Sequence, residues 1–152
     1  MDVGDARVGE QVASVAASRE PRIVELATDI RDLIQRDIPV LAGEPALTSL
    51  LDASVEENVV TVVHMLRHRI VTAHVEAPTA ALEYARRLAQ RDIPATALIR
   101  AYRVGQARFL RHCIDELLFQ TSGDHVEGTS TQWTVEHVSH TLDRVVEQVI
   151  SA

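Results

Sequence analysis

The sequence predicts an all-α, single-domain chain, and three observations carry that expectation. Almost every segment spaces its apolar residues at helical intervals, and no run alternates over a strand's length. Every proline falls at or near a break between these segments. Finally, 152 residues with 46% hydrophobic and 24% charged content make one ordinary globular unit, enough to bury roughly 68–70% of the unfolded surface.

Taken in order, Val8, Val12 and Val15 share one face of a short first helix, so residues 1–20 read as an N-terminal helix and linker and 21–152 as the main domain. Pro21 opens a second helix, where a first-turn proline loses no hydrogen bond. Its stripe is Ile23, Leu26, Ala27, Ile30, Leu33 and Ile34, ending before Pro39. Beyond Gly43 and Pro45, "PALTSLLDA" makes a short helix, and "SVEE" is a capping box in which Ser54 accepts from the Glu57 amide. The helix so capped turns Val55, Val59, Val62, Val63, Leu66 and Ile70 inward. Thr79 to Arg91 forms another, with Leu82, Ala85, Leu88 and Ala89 inward. Pro94 opens the longest, carrying Ile99, Tyr102, Gln106, Phe109, Leu110, Cys113 and Leu117. "TSGDHVEGTST" reads as a loop, and the last helix begins near Thr129 to Thr131.

The pentapeptide "QRDIP" stands at Gln35–Pro39 and again at Gln90–Pro94. Sliding one copy over the other adds Arg31 over Arg86 and Leu33 over Leu88, and little else. A tandem repeat carries similarity across its whole period, so the pentapeptide is punctuation. Polar residues close a helix, isoleucine anchors the turn, and proline breaks one helix and starts the next.

The second copy and its continuation, "RDIPATALIRAYRVGQARFL", resemble a signature of the N-terminal helical domain of PucR-type bacterial transcription regulators. That domain type is similar to the RsbR-like co-antagonists of stress signalling. The residues that match are Arg91, Ile93, Pro94, Leu98, Ala101, Tyr102, Arg103 and Gly105, and the first copy contributes Ile38-Pro39. The resemblance spans roughly Ile23 to Ile150, and its specific part is 91–105. It implies a globin-like helical bundle that usually lacks haem, dimerises, and passes a signal to a C-terminal output domain. In PucR-type regulators the output is a DNA-binding helix-turn-helix domain. Because the chain ends at Ala152 without one, it is expected to be the sensor half of a longer protein. The family motif carries no ligand-binding residue over.

The final helix carries Val135, Val138, Leu142, Val145 and Val149 at spacings of three and four, a heptad seam widened by Val146 and running uncapped to the end. It suits two compatible roles: a helix packed on its own core, or a dimer and signalling helix feeding a downstream domain. Its other face bears Trp133, His137, His140 and Arg144. His137 and His140 lack the third and fourth ligands of a metal site. His64 and His68 fall opposite the Val59–Leu66–Ile70 stripe, toward solvent with Arg67 and Arg69. With Phe109 and Phe119 as the only phenylalanines, a haem pocket is disfavoured and no cofactor is expected. Tyr102, Gln106 and Cys113 interrupt the long helix's apolar stripe, either as a hydrogen-bonded core or as the lining of a small ligand cavity. Packing is the expectation for Cys113, as an inert buried thiol.

The net charge of −7 opposes broad nucleic-acid binding. Seven arginines and one aspartate between Tyr84 and His112 make a local basic region, expected to pack on acidic neighbours. No apolar run is long enough for a membrane span, no secretory signal opens the chain, and a single cysteine suits a reducing cytoplasm. Phosphate loops, metalloprotease motifs and nucleophile elbows are absent from the sequence, so no enzyme is expected. The expected role is that of a sensory and dimerisation domain of a transcriptional regulator, a homodimer acting through its last helix. A ligand- or haem-binding globin-like sensor is the alternative, as is a protein-docking module using the arginine-rich surface from Arg86 to Arg111.

Overall fold

The computed structural model describes residues 3–70, 75–121 and 125–151. Among these residues six α-helices carry the fold: α1 (Val3–Arg19), α2 (Ile23–Asp37), α3 (Pro45–His68), α4 (Thr79–Gln90), α5 (Ala95–Thr121) and α6 (His125–Ser151). Short 3-10 turns at Glu20–Arg22 and Pro39–Leu41 each begin beside a proline. Among the described residues there is no strand, and the chain is an all-α single domain.

One hydrophobic core joins all six helices. Helix α3 packs most extensively on α4 and also meets α1 and α2, while α5 lies along α6 and against α2. Val8, Val12, Val15 and Ala16 of α1 are buried in that core, so the first helix belongs to the body of the domain. Polar links reinforce its position: Arg19 meets Glu116 of α5 at 2.6 Å, and Ser130 of α6 donates to Gln11.

The basic stretch finds acidic neighbours in part. Arg108 and His112 of α5 flank Asp29 of α2 at 3.7 and 3.0 Å, and Arg91 pairs with Glu44. Arg86, Arg100, Arg103 and Arg111 stay exposed. His64 and His68 are exposed as expected, with ring centroids 4.5 Å apart.

Four local expectations are corrected. Ser54 caps nothing: α3 runs unbroken from Pro45 to His68, and Ser54 is buried within it. A capping box is a local option, and the apolar positions Leu47, Leu51 and Val55 continue straight through it onto one core face. In α4 the fully buried set is Ala81, Tyr84 and Leu88, with Leu82 and Ala85 half-buried against the core and Ala89 exposed; two overlapping faces share Leu88, and the one with the larger aromatic side chain is the more deeply buried. Helix α6 starts at His125, inside the expected loop, so Gly128 is helical; Gly123 lies outside the described residues. Ile99 and Leu110 of α5 are half-buried, and Leu98 and Ala101 take the core positions instead.

Candidate functional site

A pocket of about 60 Å³, partly open to solvent, lies where α2, α3, α4, α5 and α6 converge. Helix α3 presents Leu51, Ser54, Val55, Asn58 and Val62 to it, at the one-turn intervals of a single helix face. Helix α5 presents Leu98, Ala101, Tyr102, Gly105, Gln106 and Phe109 from across the cavity. Ile30 and Ile34 of α2, Tyr84 of α4 and Leu142 of α6 complete the wall. Gly105 faces α2, where a Cβ would make ordinary contact with Ile30 Cγ2 at 3.4 Å.

The wall is apolar apart from five side chains, and none of them carries a charge. Asn58 Nδ2 donates to Tyr102 Oη at 3.1 Å and more weakly to Ser54 Oγ at 3.5 Å. Gln106 Nε2 donates outward to Ser139 Oγ of α6 at 2.8 Å. Two polar atoms of the lining are buried without a hydrogen-bond partner: Asn58 Oδ1 and Tyr84 Oη. Either orientation of the Asn58 amide leaves one of its two terminal atoms unpaired, because only one end faces Tyr102 and Ser54. Burial pushes both phenols above the ordinary tyrosine range; for Tyr102 it outweighs the opposing hydrogen bonds from Asn58 and Ser54.

Of the three residues expected to line a cavity, Tyr102 and Gln106 do so. Cys113 does not: it is buried two helical turns further along α5, and burial raises its thiol to about 12, with Arg19 lowering it and Glu116 raising it to smaller extents. Asn58 and Tyr84 join the site without having been expected there. Asn58 carries a usable signal, since it sits inside the Val55–Val59–Val62 stripe, where a polar residue must find a partner.

The signature residues occupy the α4–α5 junction. Ile93, Pro94 and Leu98 line a groove of about 270 Å³ together with Leu88 of α4 and Val149 and Ile150 of α6. Arg91 and Arg103 are exposed, and Ala101 is buried. The heptad seam of α6 divides: Val138, Leu142, Val145 and Val149 are buried in the chain's own core, whereas Val135 is 37% exposed. On the other flank of the helix, Arg144 Nε and Gln148 Nε2 donate to the Val75 carbonyl at 2.7 and 3.3 Å, and Gln148 accepts from the Ala77 amide. These bonds pin the chain entering α4 onto α6. Trp133 stacks on His137 with centroids 3.5 Å apart. Among the described residues no cluster of three His, Cys, Asp or Glu could hold a metal, and no helix is long and apolar enough to cross a membrane.

No histidine, cysteine or methionine lines this pocket.

A family model described as the RsbT co-antagonist protein rsbRD N-terminal domain matches residues 24–152. No curated protein and no solved structure matches the chain.

Proposed function

We propose that this chain, which belongs to the RsbT co-antagonist rsbRD N-terminal domain family, is the sensory and dimerisation domain of a transcriptional regulator. In this reading it passes a change in its core through α6 to a downstream helix-turn-helix domain, in the manner of PucR-type regulators. Family membership makes it a regulatory signalling domain. The finer reading is supported by one arrangement above all: α6 is tied to the cavity wall twice, by Leu142 in the lining and by the Gln106–Ser139 hydrogen bond. A repacking of the cavity therefore moves the helix that would carry the signal, and packed cores respond to such shifts between discrete arrangements rather than continuously.

Dimerisation in this reading uses the flank of α6 that the core leaves open. Val135, Val146 and Ile150 lie on that flank; Val146 is half-buried, and Ile150 is 41% exposed. The reading assigns the chain no catalytic step and no prosthetic group, and places it in the cytoplasm without direct nucleic-acid contact.

Light scattering across a concentration series tests it. A dimer is expected, converting to a monomer in the Val135→Glu, Ile150→Glu double variant with helicity unchanged. A native chain that stays monomeric throughout sinks the dimerisation reading. Truncation before α6 is the poorer test, because it strips Val138, Leu142, Val145 and Val149 from the core together with buried Ser130, Thr134 and Thr141. A docking module built on the arginine-rich surface from Arg86 to Arg111, where Arg86, Arg100, Arg103 and Arg111 are exposed, is the second reading, and binding to an acidic protein that weakens steeply with salt would mark it.

A further inference from the structure

We infer that the face shared by α5 and α6 binds a second copy of this chain in one register, with Arg100, Arg103 and Arg111 of each copy against Glu147, Asp143 and Glu136 of the other. The inference deepens the dimerisation reading and rests on it. What it adds is the charge pairing, which fails or stands separately.

Three observations carry it. First, all six side chains are exposed, and among the described residues none of the six is ion-paired. Arg91 and Arg108, from the same basic stretch, do find acids within the chain.

Second, the levels match. Helices α5 and α6 lie side by side and antiparallel, and the Gln106–Ser139 hydrogen bond shows which residues stand level. Counting outward from that bond, Arg103 stands level with Leu142, Arg100 with Val145 and Arg111 with Thr134. Asp143, Glu147 and Glu136 lie one or two residues beyond those levels, all in the same direction along α6. That offset is about 1.5–3 Å of helix, well within the reach of an arginine side chain.

Third, the charges frame an apolar centre. At the helical period the arginines line the α5 side of the shared face and the acids its α6 side. Between them lie half-buried Leu110 and Ile114 of α5 and Val135, Val146 and Ile150 of α6. Apolar centre and charged margin are the layout of a protein interface.

Symmetry then selects the arrangement. A two-fold axis running along the helices lays α5 of one copy across α6 of the other, antiparallel and at the same level. Each arginine then meets its acid, and the symmetry makes every pair twice. An axis running across the helices lays α5 on α5 instead, arginine against arginine. Charges at the margin of an interface fix register and exclude wrong pairings more than they add affinity, so the apolar centre holds the two copies and the margin sets how they meet.

The test is charge reversal read by light scattering. One variant carries Arg100→Glu, Arg103→Glu and Arg111→Glu, and the other Glu136→Arg, Asp143→Arg and Glu147→Arg. All six positions are exposed, so native helicity is expected in both. Alone, each variant sets like charges against each other, and its self-association should weaken about a hundredfold. Mixed one to one, the two should associate again as a heterodimer, in which every pair returns with its signs exchanged. If a triple variant does not fold, Arg103→Glu and Asp143→Arg carry the same test, each weakening the dimer about tenfold and recovering on mixing. Variants that dimerise as tightly as the native chain overturn the pairing and leave dimerisation standing, as does a mixture that stays monomeric beside a native dimer. A native chain that is monomeric at every concentration overturns both and leaves the arginines to an acidic protein of another kind.

Discussion

The pentapeptide Gln-Arg-Asp-Ile-Pro ends two helices of this chain in two different ways. At Gln35–Pro39, α2 runs through Asp37 and closes with one more helical bond, from the Ile38 amide to the Ile34 carbonyl at 2.8 Å. The chain then leaves the helix through Ile38 at φ −129° and ψ 79°, outside the α region that the following proline disfavours, and Ile38 is buried. At Gln90–Pro94 the reversal comes one residue earlier. Asp92 takes a left-handed conformation at φ 57°, its amide bonds to Ala89, and the Ile93 amide reaches back to the Leu88 carbonyl at 3.0 Å. That pair of bonds is a Schellman motif with aspartate in the position glycine usually holds.

The difference lies in the residues downstream of each proline. After the second copy come Ala95, Thr96, Ala97 and Leu98, which begin α5 at once. After the first come Val40, Leu41, Ala42 and Gly43, and no long helix starts until Pro45. A stop signal is local; the geometry of the stop is set by where the next helix must go. The two copies are also joined in space, for Arg91 of the second pairs with Glu44, just beyond the first.

The contrast is sharpest at the isoleucines. Ile38→Ala should cost about 3 kcal/mol, the usual penalty for emptying a core site, while Ile93→Ala at a half-buried site should cost about 1 kcal/mol; denaturant midpoints of the two variants compare them directly. Equal losses would mean that the two turns are equally embedded. At the aspartates the sign itself should reverse. Asp92→Gly relieves a left-handed residue and should stabilise by roughly 1 kcal/mol, whereas Asp37→Gly weakens a helical position by a few tenths of a kcal/mol. Melting temperatures of the pair read this, and a stabilising Asp37→Gly would break the comparison. Arg91→Ala should cost less than about 1 kcal/mol and lose its effect in molar salt, as expected for an ion pair at the surface. Arg36, paired with its own neighbour Asp37 at 3.3 Å, should show no salt-dependent loss. Pro39→Ala and Pro94→Ala should each cost about 0.5 kcal/mol through the unfolded chain, and here the copies should agree.

Much of the fold was legible because each helix carries its own period and each break its own proline or glycine. The stripe of α2 through Leu26, Ala27, Ile30 and Ile34 is buried as its spacing requires. Ambiguity entered where local signals compete. Ser54 begins a plausible capping box and is instead one wall of a cavity, because whether a helix starts or continues there depends on α5 bringing Tyr102 against Asn58. Tyr84 was hidden for a related reason: α4 has two overlapping apolar faces, and only the neighbours select between them. The candidate site was half visible, through Tyr102 and Gln106 on one helix. Its other half lies on α3 and α4, at separations that no sequence spacing encodes.

By itself the sequence determined that the chain is helical, where most helices begin and end, and which residues are apolar enough to be inside. Those properties follow from backbone sterics and from a period of 3.6 residues, both of them local. Only the tertiary structure decided what the apolar stripes bury against. Val138, Leu142, Val145 and Val149 spell a seam that a second chain or the same chain could close with similar gain per unit area. They are closed by the same chain because α5 and α1 are already alongside, leaving Val135 and Ile150 as the open edge.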